Sequence, residues 1–371
     1  MVPSTQRWEV NALPALNFDS DEGFGYGVIA QVYKYGGQGV APYALTIQPT
    51  VFLTTQGRRD VSLFVDAPRA FGGNWRFDAY VGREQRLATP YYGTGNDTNY
   101  EAAQEAEPNK YFYRYGRRAF KFTSNLQHPT GIGSLSALVG MGAQSVKIDA
   151  TPFDEGTTLL AQEARPAAIA DGRLNFIRTG LVYDTRDREV GTTRGTWADV
   201  LVQRVDKNLG STVDFTRLTL TGRHYLSIGR RLVFADRALF QTVSGEVPFY
   251  DITTIQGSFK EAEGLGGSGS VRGLPKNRFA GKTLLLNNAE LRWKAVEFSL
   301  RGKSANLVLS TFVDAGRVWQ TADDGNALSN LHTGFGGGTR LGYGNNFVVA
   351  IDVAHSKLAT APIYIGLGYL F

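Results

Sequence analysis

Apolar and polar positions alternate along almost the whole chain. Val, Leu, Ile, Phe, Tyr and Trp take one parity, while polar, glycine and small residues take the other. That period of two belongs to β-strands with unlike faces. Sixteen such segments are predicted, at 8–18, 24–35, 43–55, 60–66, 75–86, 112–126, 134–148, 174–185, 196–206, 212–227, 232–244, 282–294, 306–319, 332–343, 347–356 and 363–371. Helical spacing is confined to YEAAQEAE at 100–107, which is short and acidic and is placed in a loop. The last segment has the clearest alternation. Ile363, Ile365, Leu367, Tyr369 and Phe371 share one face, and Tyr364, Gly366, Gly368 and Leu370 share the other.

The connections sort by length. Those after even-numbered segments are short (36–42, 67–74, 127–133, 186–195, 228–231, 344–346), with 295–305 the exception. Every long one follows an odd-numbered segment: 87–111, 149–173, 245–281 and 320–331. A soluble sandwich has no reason to separate its loops in this way. An outer-membrane barrel does, with long extracellular loops, short periplasmic turns and both chain ends on the periplasmic side. The expected fold is therefore all-β: one domain over residues 1–371, a 16-stranded antiparallel transmembrane β-barrel with the long extracellular loop 245–281 folded into the lumen.

Composition leaves that reading intact. No run approaches the ~20 consecutive apolar residues of a membrane helix. A barrel hides its apolar face in the alternation, which suits the mean hydropathy of −0.20. The 371 residues include 44 Gly, 22 Phe, 17 Tyr and no Cys, so a cell-surface compartment would require no disulfide framework here. The net charge of +5 is spread along the chain without a Lys/Arg block, and no nucleic-acid partner is expected. MVPSTQRWEV has no apolar core, so an export signal is expected in a longer precursor. Aromatic residues near segment ends, Tyr33, Tyr35, Trp75, Trp293 and Trp319, suit interfacial girdles.

Candidate chemistry centres on VRGLPKNRFAGKTLLLNNAELRW, residues 271–293. Arg272 follows the glycine-rich GLGGSGS. Glu290 lies between Ala289 and Leu291 on one segment, and Asp314 between Val313 and Ala315 on the next. If those apolar neighbours face lipid, both acids face inward. A guanidinium is a permanently charged, planar fork that matches carboxylates bidentately. Arg272 is thus expected to dock on Glu290 and Asp314, with Phe312 stacked against it. Lys276, Asn277 and Arg278 are read as solvated. The four histidines lack ligand spacing, and Asp323–Asn326 resembles a calcium loop without its glutamate, so no metal and no cofactor are expected. GSGS at 267–270 does not fit a nucleophile elbow, and no enzyme is expected.

Four stretches, in order, resemble the bacterial surface antigen (Omp eighty-five) superfamily. They are Tyr183-Asp184-Thr185-Arg186-Asp187 leading to Gly195; Pro248-Phe249-Tyr250-Asp251; Val271-Arg272-Gly273-Leu274, with Leu where the family often has an aromatic; and Phe312-x-Asp314-x-Gly316-x-Val318-Trp319. Gly366, Tyr369 and Phe371 are similar to the C-terminal signal of outer-membrane barrels. The resemblance, to BamA/TamA-like barrels, implies location in the cell outer membrane amid lipid and lipopolysaccharide. It also implies a role in outer-membrane protein insertion or polypeptide translocation through a seam between first and last strands. Client outer-membrane proteins and periplasmic or lipoprotein partners follow from it. Arg272, Gly273, Glu290, Phe312 and Asp314 would form the loop lock, and Asp184, Arg186 and Asp187 a periplasmic turn. The insertases carry POTRA domains ahead of the barrel, and none precedes the first predicted strand. The other reading is a passive pore or a scaffold for partner proteins.

Overall fold

The structure, a computed structural model, describes residues 7–19, 23–36, 43–152, 156–163, 171–320, 328–344 and 347–371. The calcium-loop-like stretch at 323–326 falls outside them. The strands are β1 (Arg7–Asp19), β2 (Gly23–Tyr35), β3 (Leu45–Thr54), β4 (Arg59–Ala70), β5 (Trp75–Pro90), β6 (Arg114–Pro129), β7 (Leu135–Asp149), β8 (Gly172–Asp184), β9 (Gly195–Val205), β10 (Phe215–Ile228), β11 (Leu232–Gly245), β12 (Thr254–Ile255), β13 (Ala262–Glu263), β14 (Thr283–Leu300), β15 (Lys303–Trp319), β16 (His332–Tyr343), β17 (Phe347–Ser356) and β18 (Ile363–Leu367). All but β12 and β13 form one antiparallel 16-stranded sheet in which each strand pairs with its sequence neighbours, β11 passing directly to β14. β12 and β13 pair only with each other, inside the 246–282 loop.

The two faces differ as the alternation requires. Val61, Val139, Met141, Ile177, Val200, Leu291, Val313, Phe335 and Val353 stand exposed on one face. Asp66, Asp78, Arg178, Asp199, Arg217, Glu290, Asp314 and Arg340 are buried on the other. Burying so much charge requires partners there, because an isolated ion in an apolar surround is prohibitively costly. The 246–282 loop supplies many of them by lying against this polar face from β4 to β18.

The expected exception among the short connections disappears. β14 runs on to Leu300 and meets β15 through Arg301 and Gly302 alone, with φ of +50° and +75°. The apolar–polar pattern loosens there because a register shift at Lys294/Val296 interrupts the parity. Three expectations need correction. The last strand ends at Leu367, not Phe371: Gly368, at φ +85°, leaves the ladder, and Phe371 buries its ring near Tyr225. Tyr33 is no outward girdle residue but is buried against Tyr43, ring centroids 5.3 Å apart. Lys276, Asn277 and Arg278 are buried rather than solvated.

At the ends of the sheet, β1 and β18 run close enough for Cα atoms to lie within 8 Å, yet no ladder pairing joins them among the described residues.

The β14–β15 turn offers a direct check. Positive φ at both central residues favours Asn-Gly, whereas a β-branched residue is strained there. Arg301→Asn is expected to raise the urea midpoint of the refolded protein. Gly302→Val is expected to lower stability by about 1–2 kcal/mol.

Candidate functional site

Three rungs of the sheet build the site. Cα register aligns Ala235, Glu290, Phe312, Gly336 and Ala354 across β11, β14, β15, β16 and β17. The next rung is Arg237, Asn288, Asp314, Gly334 and Ser356. On the other side come Arg292, Ser310, Gly338, Asp352 and then Tyr364 of β18. All these side chains point to the polar face, since alternate residues of a strand share a face. β16 contributes only glycines to these three rungs, so a trough opens between β15 and β17. The loop settles into it. A Cβ on Gly334 would come 1.8 Å from the Arg272 carbonyl oxygen, and one on Gly336 2.7 Å from the Phe312 ring.

Arg272 lies at the centre and is fully buried. Its Nε and Nη2 donate to Asp314 at 2.8 and 2.9 Å, and its backbone N–H to Asp314 Oδ2 at 3.0 Å. Nη1 donates to Glu290 at 2.8 Å and to Asp352 at 3.2 Å. Its Cζ stands 3.4 Å from the Phe312 ring centroid. Gly273, at φ +98°, turns the chain so that its N–H donates to the Tyr364 hydroxyl at 3.1 Å and its carbonyl accepts from Ser356 at 2.7 Å. The structure thus brings Arg272, Gly273, Glu290, Phe312 and Asp314 together. Leu274, in place of the family's aromatic, is buried with Leu265, Val271 and Phe279 against Leu284, Leu286 and Val318.

Sequence reasoning missed five members. Asp352 takes Arg340 on both oxygens, at 2.6 and 3.0 Å. Arg292 donates to Glu290 at 2.7 Å. Arg237 donates to Asn288, which in turn donates to Asp314 at 2.8 Å. Four arginines and three carboxylates therefore share one buried layer. The signal was the parity itself: Gly334, Gly336, Gly338 and Arg340 alternate with Phe335 and Leu341.

Asp184, Arg186 and Asp187 do not join this layer. Arg186 donates to both oxygens of Asp184, at 2.9 and 2.8 Å, while Asp187 accepts from Thr193 and the Arg194 N–H. These bonds shape the β8–β9 turn. The turn then reaches across to β5, where Arg76 holds Glu189 at 2.9 Å and Asp66 at 2.9 Å while its Cζ stands 4.7 Å from the Phe259 ring centroid. Tyr369 and Phe371 turn inward onto Arg292, 4.6 and 5.0 Å from its guanidinium, while Gly366 stays exposed on β18. Lys276 pairs with Glu263, and Arg278 donates to Thr98. Neither partner is near in sequence, so local polarity misled there.

Removing one acid from the layer leaves a buried cation uncompensated. Asp314→Ala is expected to cost about 3–5 kcal/mol. Gly334→Ala should lower stability without changing charge, by lifting the loop from its trough. Urea unfolding of the refolded protein, read by tryptophan fluorescence, measures both.

The Omp85 superfamily domain matches residues 86–354, most of the chain. No curated protein matches it at a significant level. Among solved structures it is similar to BamA from Haemophilus ducreyi lacking POTRA domains 1–3, with TM-score 0.60 and 15% identity over 98% of this chain and 70% of that one. It is likewise similar to CdiB from Escherichia coli, with TM-score 0.60 and 12% identity over 98% and 68% of the respective chains. CdiB from Acinetobacter baumannii gives TM-score 0.52 and 13% identity over 98% and 66%. At such identities the likeness speaks for the fold, while the family match rests on the sequence itself. The chain belongs to the Omp85 superfamily and is an outer-membrane β-strand protein of the insertase and translocase type.

Proposed function

We propose that the sheet wraps into one closed, membrane-spanning barrel over the whole chain, with the 246–282 loop in its lumen. Such a barrel would serve outer-membrane protein assembly or polypeptide translocation by parting at the β1–β18 seam. The exposed apolar face suits lipid, and the buried polar face, occupied by the loop, suits a lumen. One observation carries the functional reading: β1 and β18 lie side by side with no ladder between them among the described residues. Edge strands with unpaired N–H and C=O groups are templates for another strand. A client strand could add there while neighbouring strands keep the barrel intact.

In this reading Arg272 and its carboxylates hold the loop in place and fix the trough side of the barrel. The Asp184–Asp187 turn faces the periplasm, where client proteins and periplasmic or lipoprotein partners would arrive. Gly366, Tyr369 and Phe371 would act as an assembly signal before the tail folds inward.

A disulfide tests the seam, in a chain that has no cysteine of its own. One cysteine placed in β1 and one in β18 should cross-link under oxidation. Client assembly should then stop while the barrel keeps its folded mobility in cold SDS, and reduction should restore it. Assembly that continues unchanged with the seam closed overturns the proposal in favour of a passive pore or scaffold.

A further inference from the structure

A cavity of about 340 Å³ lies between the polar face of β3–β6 and β8 and the loop segment 250–263. Among the residues that line it, cations outnumber acids. Three acids line it, and each is already taken: Glu84 by Arg117 at 3.1 Å, Glu261 by Lys121 at 3.4 Å, and Glu263 by Arg86 and Lys276. Two further lining cations have no carboxylate in direct ion-pair contact among the described residues, although Asp78 and Asp199 stand within electrostatic reach of Arg178, and Asp66 of Lys260. Arg178 donates only to neutral oxygens, those of Asn125, Gln256 and the Gly257 carbonyl. Lys260 opens to the cavity with its ammonium over the rings of Phe64 and Phe259, 5.1 and 5.7 Å from their centroids.

Two buried groups on the same wall also have unused hydrogen-bonding capacity. Thr89 Oγ1 and Arg117 Nε lack any partner among the described residues, although these residues are only 5% and 7% exposed. Water can satisfy a hydroxyl or an N–H singly, but it carries no charge to set against Arg178 and Lys260. An anion does both, accepting from several donors at once through charge-assisted bonds. The volume falls within the roughly 300–1,000 Å³ typical of small-molecule sites. Lys260, held by aromatic faces rather than by a carboxylate, keeps its charge free for such a guest.

We propose that this cavity is a binding site for a small solute carrying an oxyanion, phosphate or carboxylate, held by Lys260 and Arg178 with Arg117 and Thr89 completing its hydrogen bonds. The site is separate from the Arg272 layer and does not depend on the seam.

Calorimetry on the refolded, detergent-solubilised full chain tests it with three probes: inorganic pyrophosphate, glucuronate and neutral glucose. At least one anion should bind about tenfold or more tightly than glucose. Pyrophosphate alone would identify a phosphate site, and glucuronate alone a carboxylate site. Lys260→Met and Thr89→Val should each weaken binding of the preferred anion, Lys260→Met by about tenfold, without altering folded mobility in cold SDS. If one variant fails to fold, the other decides. Anions binding no better than glucose, or binding undiminished in the folded variants, overturns the assignment.

Discussion

A guanidinium shut away from water must be matched by carboxylates or the fold around it fails. Arg272 is matched by three, from strands β14, β15 and β17. This constraint organises the half of the sheet that follows the long loop. Each carboxylate needs its own strand parity to face Arg272. Each strand must hold register to within one residue, because a single slip would send the acid to the apolar face. The glycines of β16 belong to the same constraint. They carry no charge, but without them the loop backbone could not come near enough for Arg272 to reach Glu290 and Asp352.

The layer carries one more arginine than it has acids. Arg237 accounts for the surplus, donating to Asn288 and to the Gly269 carbonyl instead of to a carboxylate. The neutral acceptors disperse its charge and, through Asn288, tie it to Asp314. Phe312, Tyr369 and Phe371 offer ring faces to Arg272 and Arg292. In a buried network of this density the members polarise one another, so it acts as a unit rather than as separate ion pairs, with Arg340 Nε left without a partner among the described residues.

Most of this was legible in the sequence where period two held. Sixteen strands, the sorted loop lengths and the pairing partners of Arg272 on β14 and β15 follow from parity and from charged residues set among apolar ones. What escaped has a physical reason in each case. Asp352 and Arg340 sit on strands with no motif to single them out; parity puts them on the polar face, but only the assembled register puts them beside Arg272. The β12–β13 hairpin is too short to show alternation. The tail beyond Leu367 keeps the alternation of a strand, yet Gly368 adopts a positive φ and turns the chain inward. Lys276 and Arg278 look like solvated loop residues because their partners, Glu263 and Thr98, are distant in sequence or on another loop.

The network also bears on the edge of the sheet. β1 pairs with β2 over thirteen residues, whereas β18 pairs with β17 over only five. Ladder hydrogen bonds contribute about 0.5–1.5 kcal/mol each, so β18 is held far more weakly than β1. Its extra anchorage comes from inside: Tyr364 accepts from the Gly273 N–H, and Tyr369 and Phe371 beyond it lie against Arg292. The last strand is therefore secured less by its neighbour than by the loop and the arginine layer. Any motion of β18 has to be read together with the loop that carries Arg272, since displacing either removes contacts from the other.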